Sequence, residues 1–500
     1  MSSKREDLYS LIQSLSKTEK RYFKMEARKA GDKSNSKYIQ LFEAIQQMDK
    51  YDEEALKKQT FVKNLSMEKA YLSDAILRSL RNFHSEKSLG ARMRDLIANA
   101  RILQDRELYK QSLRQLTKAK KMAYELHDYL SVLEINRMES SFLLRKQDRD
   151  NMDKLRELRE ERVEIMSVVV EENDYANLHH DISMYTHKSY IVRNKNAKES
   201  IVNTFKPFLD SQPEQIRSFH ARIRFYQSLS LYKTSVGKND ESYEHYMDLI
   251  REYDKNPKIR KELAFRYLVS IYNMAQKSMG IRKYNDIPVF IEKMQRLTEE
   301  NKSHELAAFN IDVQTRLVYY LNTQQFDKAG ELADIVKKGL AKYNLNASRR
   351  IVFHHNVAVF FFVNQQFEEA REWFGKNLQF KKSEARQDLQ RIARIFYLIT
   401  QIEDSQLEEL EGSMRSTQRY FRVYTDLKKQ DYELTILNFL KKYYNSPHAE
   451  KAAVAGELTQ YLQKQATSPN SKWPGLEEIS LWAKSKVERM PIIDILTKRL

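Results

Sequence analysis

The chain has 500 residues, no cysteine, only 10 glycines and 8 prolines, 11% aromatic residues and a formal net charge of +17. That length exceeds one compact core, the aromatic content excludes a disordered chain, and the scarcity of turn formers excludes an all-β one. Without cysteine there are no disulfides, thiol nucleophiles or Cys-ligated metal centres, and the basic excess favours acidic partners, nucleic acid or anionic surfaces over neutral ones.

No proline precedes Pro207. So long a stretch without that helix breaker predicts long helices joined by short turns. Met1–Ser10 carries Glu6 and Asp7 and no apolar run behind a basic start, so it does not read as a signal peptide. The most apolar segment, Ile351–Val363, contains His354, His355 and Asn356 and is too short and polar to span a bilayer. A cytoplasmic chain without membrane insertion is expected.

Residues 1–88 predict a helical bundle. Asp7–Leu15 is a short amphipathic helix. Ser16-Lys17-Thr18-Glu19 has the form of a capping box, so a second helix begins there and runs to about Ala30. Lys17, Lys20, Arg21, Lys24 and Arg28 fall on one stripe of it, with Tyr22, Phe23 and Met25 expected on the other side. Gly31–Ser36 is a polar loop, followed by helices at Lys37–Met48, Glu53–Gln59 and Met67–Phe83. Short helices, a turn and a longer basic-flanked helix also suit a helix-turn-helix reader, but the turn Thr60–Ser66 lacks glycine and no wing follows.

Residues 89–465 read as successive helical hairpins. The predicted pairs are Ala91–Asp105 with Glu107–Tyr124, Leu130–Lys146 with Met152–Glu172, Tyr175–Arg193 with Lys198–Leu209, Gln215–Val236 with Asp240–Tyr253, and Lys258–Met279 with Ile287–Glu300. Two further pairs carry near-copies of one turn, Gln324-Gln-Phe-Asp-Lys-Ala329 and Gln365-Gln-Phe-Glu-Glu-Ala370, 41 residues apart. Each copy follows an apolar run and opens a helix with an aromatic, then a small residue. Self-similarity at fixed spacing marks a repeat array. Ala385–Ile402 with Leu407–Val423 and Tyr432–Tyr444 with Ala449–Gln463 complete it. Residues 466–500 are a linker through Pro474 and a capping helix, Leu476–Arg489, with a last turn at Ile492–Leu496.

Chemical motifs are few. The closest glycine pair is Gly330 and Gly339, so no phosphate-cradling loop, dinucleotide fingerprint or Gly-x-Ser-x-Gly elbow exists. His180 and His187 lie two turns apart on one helix face near His179 and Asp181, a spacing poorly suited to a metal; a packed core accounts for them more simply. Carboxylate clusters such as Glu408-Glu409 with Glu411 read as solvated faces. Arg114, Lys118 and Lys121 form a second cationic stripe. No catalytic residue, cofactor site or metal site is expected.

The aromatic-then-small second helices, opposite small residues at Ala100, Ser230 and Ala358, resemble tetratricopeptide repeats, with Leu317 as a departure. The spacing is longer than that family's usual ~34 residues, and its terminal proline is missing. The resemblance implies an all-α right-handed superhelix whose concave groove, lined by first helices, holds peptides or protein partners. In the sixth and seventh repeats it places Gln314, Val318, Asn322, His355, Val359 and Phe362 at that groove. The Lys/Asn set with which some members clamp a C-terminal carboxylate is missing. A helical bundle ahead of such an array also resembles the superfamily's peptide-sensing regulators. The expected function is therefore a non-enzymatic protein- or peptide-binding scaffold, with an acidic partner and a homodimer both compatible. The alternative is a nucleic-acid-binding or peptide-responsive regulator whose N-terminal basic bundle is the reader.

Overall fold

The computed structural model describes residues 6–29, 35–48, 51–59, 62–85, 88–145, 151–188, 208, 211–300, 304–343, 345–380, 386–404, 407–424, 432–466 and 475–497. Among them are twenty-four α-helices and no strand, and the helices pack chiefly against their sequence neighbours. The chain divides into two compact units, Met1–Ile281 and Arg282–Leu500. The division falls inside the fifth predicted pair.

The first unit opens with α1 (Asp7–Ser14), α2 (Lys17–Lys29), α3 (Asn35–Gln46), α4 (Glu53–Lys57) and α5 (Leu65–Ser85). Their apolar faces share a core of Leu8, Ile12, Phe23, Phe42, Ile45, Leu56, Leu72 and Ile76. The capping box forms as expected. Ser16 N–H donates to Glu19 Oε2 at 2.8 Å, and Glu19 N–H donates to Ser16 Oγ at 3.2 Å.

Next come α6 (Leu89–Asp105), α7 (Tyr109–Glu125), α8 (Tyr129–Arg145) and α9 (Asn151–Lys188), then α10 (Phe219–Ser235), α11 (Asn239–Lys255), α12 (Pro257–Glu262) and α13 (Ala264–Gly280). Two predictions are corrected here. The second helix of the second pair and the first helix of the third are one continuous helix of 38 residues, α9. Ile165, Val168, Tyr175, Leu178 and Ile182 keep one buried face throughout, and Glu172 fills the intervening position by accepting the Ser218 hydroxyl. No glycine or proline interrupts it. The predicted Lys198–Leu209 lies outside the described residues apart from Phe208.

Conversely, Lys258–Met279 is two helices, broken at Leu263 (φ −98°, ψ 30°). The break leaves Glu262 reaching back to the start of α6. Its carboxylate accepts from the Ser88 hydroxyl at 2.6 Å, Leu89 N–H at 3.0 Å and Gly90 N–H at 3.3 Å. A distant carboxylate thus serves the orphan amides of that helix N-terminus. Gly90 is required by this approach, since a Cβ there would meet Glu262 Oε1 at 2.7 Å.

The second unit holds α14 (Ile287–Glu300), α15 (Glu305–Asn322), α16 (Ala329–Lys342), α17 (Ala347–Val363), α18 (Phe367–Leu378), α19 (Gln387–Glu403), α20 (Leu407–Tyr424), α21 (Tyr432–Asn445), α22 (His448–Ala466), α23 (Leu476–Glu488) and α24 (Ile492–Thr497). Phe326–Lys328 is a 3₁₀ turn, so the sixth pair's second α-helix begins at Ala329 and not at its aromatic.

One connection recurs across both units. Glu107, His127, Gly237, Gln324 and Gln365 each adopt a left-handed conformation, with φ between 51° and 81°. The amide after each donates to the carbonyl five residues back, at 2.8 or 2.9 Å, as in a Schellman motif. Five residues beyond each left-handed position lies a buried small or β-branched residue: Ser112, Val132, Ser242, Ala329 or Ala370. Where both partners are small, the helices touch closely. Ser112 Oγ donates to Ala100 O at 2.8 Å, and Ser242 Oγ donates to Ser230 O at 2.7 Å.

The C-terminal helices do more than cover the last hairpin. Trp482 is buried, and its indole N–H donates to Glu403 at 2.9 Å, beside Lys486 at 2.6 Å from the same carboxylate. Ile492 N–H donates to Gln365 Oε1 at 3.1 Å, closing on the turn of the second near-copy. In a simple linear array each repeat touches only its neighbours. Here one core runs from Val313 to Ile495, and its last helices return to the turn at Gln365.

Candidate functional site

The cations of the α2 stripe come together at one cleft. Lys17, Lys20, Arg21, Lys24 and Arg28 line one cleft of about 690 Å³, with Met25 and Gln46 completing its walls. Helix α2 sorts its charges by face. Its carboxylates turn toward α5: Glu19 meets His84 at 2.8 Å and Glu26 accepts from Asn82 at 2.9 Å, while Tyr22 packs on Phe83 between them. Burial works against the Glu19 charge, but hydrogen bonds from Ser16 and His84 hold its pKa below the ordinary carboxylate range.

The cations are left on the opposite side. Lys24 pairs with Glu43 at 2.9 Å and lies over the Phe42 ring. Lys17, Lys20, Arg21 and Arg28 have no ion-pair partner among the described residues. Burial and the neighbouring Lys24 push the Lys20 pKa down. The members of such a cluster repel one another, and a negative charge placed among them would relieve that repulsion. Met25 corrects the expected arrangement: it is 43% exposed and lines the cationic cleft. Four residues after Arg21 and three before Arg28, it shares their helical face.

The expected partner groove fares differently. Gln314 and Val318 are half-buried, and exposed Asn322 turns its amide back to Val318 O at 2.7 Å. His355, Val359 and Phe362 are core residues, exposed by 6%, 7% and 0%. His355 packs edge-on to Phe374 and Phe396, and Phe362 meets Phe367 and Phe396. These three are therefore not an open groove surface. Helix α17 is apolar on nearly all sides because α18 and α19 cover the face that the repeat pattern leaves free.

Among the described residues no group of three or more His, Asp and Glu side chains is placed to hold a metal ion. His179 is half-buried, and desolvation followed by nearby Arg224 lowers its pKa to about 4. The side chain of His187 lies outside the described residues. His127 takes the left-handed position of a turn and accepts from Phe219 N–H at 3.3 Å.

One pairing had no sequence signal. Lys277 Nζ donates to Ser242 Oγ at 2.7 Å and to Thr234 Oγ1 at 3.2 Å, and burial lowers its pKa to about 8. A lysine beside a serine is the arrangement of a nucleophile and its base. Ser242, however, is 1% exposed and is committed to the Ser230 carbonyl, so no substrate reaches it. The pair belongs to the helix–helix contact. No protein-family model, curated protein or solved structure matches the chain.

Proposed function

We propose that the chain is a non-enzymatic interaction scaffold of tetratricopeptide-like hairpins, working in the cytoplasm on a protein partner. The observation that carries this reading is the shared hairpin connection, with one left-handed position and one buried contact residue at the same offset in five places. Arrays of this kind present extended surfaces to partners. Helix α9 offers one such surface: Val163, Met166 and Val170 form an apolar stripe at helical spacing, each more than half exposed. Within the described residues no helix is long and apolar enough to cross a membrane.

The test is affinity enrichment with the full chain and with a Val163→Asp/Met166→Asp/Val170→Asp variant, beside light scattering of both. Loss of a stoichiometric partner, or of self-association, in the variant alone supports the reading. Identical profiles with no stoichiometric partner refute it.

A second reading, that the N-terminal bundle engages nucleic acid, is favoured by the gathering of five cations in one cleft. Lys17→Gln/Arg21→Gln/Arg28→Gln removes three charges without touching the Lys24–Glu43 pair. If these cations contact phosphates, the salt dependence of binding flattens by roughly two to three in log–log slope. An unchanged slope sinks it.

A further inference from the structure

A second cationic cleft lies in the other unit, on a different chemical platform. Its volume is about 490 Å³, and it is lined by Lys337 from α16, Arg350 and His354 from α17, and Trp373 and Lys376 from α18, with Phe380 behind them. The aromatic rings are the floor. Lys376 Nζ lies 3.9 Å from the Trp373 centroid, and Lys337 Nζ lies 5.8 Å from it. The Arg350 guanidinium sits 5.5 Å from the centroid of Phe380.

That mode of support matters. A carboxylate partner holds a cation by neutralising it, whereas an aromatic face holds it and leaves its charge in place. No carboxylate lines the cleft. Lys376 has one acidic neighbour, Glu372 at 2.8 Å, while Lys337 and Arg350 form no ion pair among the described residues. Three cations less one carboxylate leaves an excess of two positive charges. A neighbouring cleft along α18, which shares Gln379 with this one, contrasts with it. It has a volume of about 900 Å³, mixes Glu368, Glu369 and Glu372 with Arg371 and Arg394 and is close to charge balance. His354 reports the field: burial first, then Lys376 and Arg350, hold its pKa down to about 4. It is therefore neutral at pH 7 and adds no charge.

We propose that the cleft formed by Lys337, Arg350 and Lys376 over Trp373 and Phe380 is a binding site for a phosphate dianion, either a free phosphate or a phosphomonoester on a peptide side chain. A phosphate carries nearly two negative charges at neutral pH and matches the excess. Arg350 supplies a planar fork for two of its oxygens, and the lysines supply point charges. The two clefts share no lining residue.

The experiment uses the full chain and intrinsic tryptophan fluorescence. All three tryptophans, Trp373, Trp473 and Trp482, lie after residue 281, so the signal originates in the unit that holds this cleft. Inorganic phosphate and a neutral peptide bearing one phosphoserine are titrated at constant ionic strength, with acetate and the unphosphorylated peptide as controls. The expected result is saturable quenching or enhancement by at least one phosphate probe, and at least about tenfold weaker binding of acetate. Lys337→Gln/Arg350→Gln should weaken the phosphate probe by about tenfold or more, while Arg21→Gln/Arg28→Gln leaves it unchanged. Both residues replaced in the first variant are exposed, so folding is retained. A phosphopeptide that binds well above free phosphate identifies a modified partner; equal affinity identifies a free phosphate. A signal that fails to saturate with both probes, or that survives Lys337→Gln/Arg350→Gln undiminished, overturns the proposal.

Discussion

Replacing Gly339 by alanine should destabilise the second unit, although alanine is the better helix former. Gly339 is buried in α16, where the ring of Phe309 from α15 lies across it. A Cβ would stand 2.0, 2.2 and 2.7 Å from three atoms of that ring. These separations are far inside van der Waals contact, so the ring must move by more than an ångström. It has little room, being packed against Tyr343 at 5.3 Å and edge-on to Phe353 at 5.6 Å between centroids. Overpacking of this kind costs about 1–3 kcal/mol, and the severity of the overlap puts it at the upper end. Alanine returns about 1 kcal/mol of helix propensity. The net loss is therefore about 1–2 kcal/mol. Gly412, inside α20 with nothing within 4 Å of its added Cβ, is the internal control. Gly412→Ala should stabilise by up to about 1 kcal/mol. Urea unfolding followed by tryptophan emission reads both, because every tryptophan lies in this unit. Phe309→Leu in the Gly339→Ala background should restore part of the loss, since the smaller side chain frees the space. If Gly339→Ala raises the midpoint as Gly412→Ala does, the close approach of α15 and α16 is refuted.

Three further outcomes follow from the same structure. Glu262→Ala strips three hydrogen bonds from the start of α6 and should cost about 2–3 kcal/mol, with faster amide exchange at Leu89 and Gly90 as the check; unchanged exchange there contradicts the cap. Burial, then Arg386, lowers the pKa of His355 to about 4, so the unfolded chain binds the extra proton between that value and about 6.5. Its contribution is full above pH 6.5 and is lost as pH falls toward 4; His355→Phe should flatten this acid limb of the stability profile, and an unaltered limb counts against a buried neutral imidazole. Lys277→Met removes a half-buried cation that has hydroxyl partners and no carboxylate among the described residues, so circular dichroism melting should show no loss of stability; a fall of more than about 2 kcal/mol would mean that the lysine's hydrogen bonds outweigh its desolvation.

Much of the helical layout was legible in the residues themselves. Scarce glycine and proline, apolar residues three and four apart, and the Ser16–Glu19 box act within one or two helical turns, and the helices formed where those signals stood. The α2 cations were legible for the same reason: a stripe is a property of one helix, and all five members line one cleft. Turns were harder to read. Four of the five recurrent left-handed positions are Glu107, His127, Gln324 and Gln365, residues that pay strain to take that conformation and carry no glycine to announce it. The missing break inside α9 shows the converse, a polar run that reads as a turn but continues because its apolar face stays covered.

What surrounds a helix was decided only by the tertiary structure. Periodicity shows that α17 has an apolar face, but not that α18 and α19 cover the rest and bury His355, Val359 and Phe362. Likewise nothing near Gln365 foretells Ile492, nothing near Gly90 foretells Glu262, and the second cationic cleft takes its three charges from three different helices. Helix formation depends on neighbours along the chain, so sequence alone determined it. Burial and the meeting of charges depend on neighbours in space, and those are set only when distant segments compete for the same apolar surface.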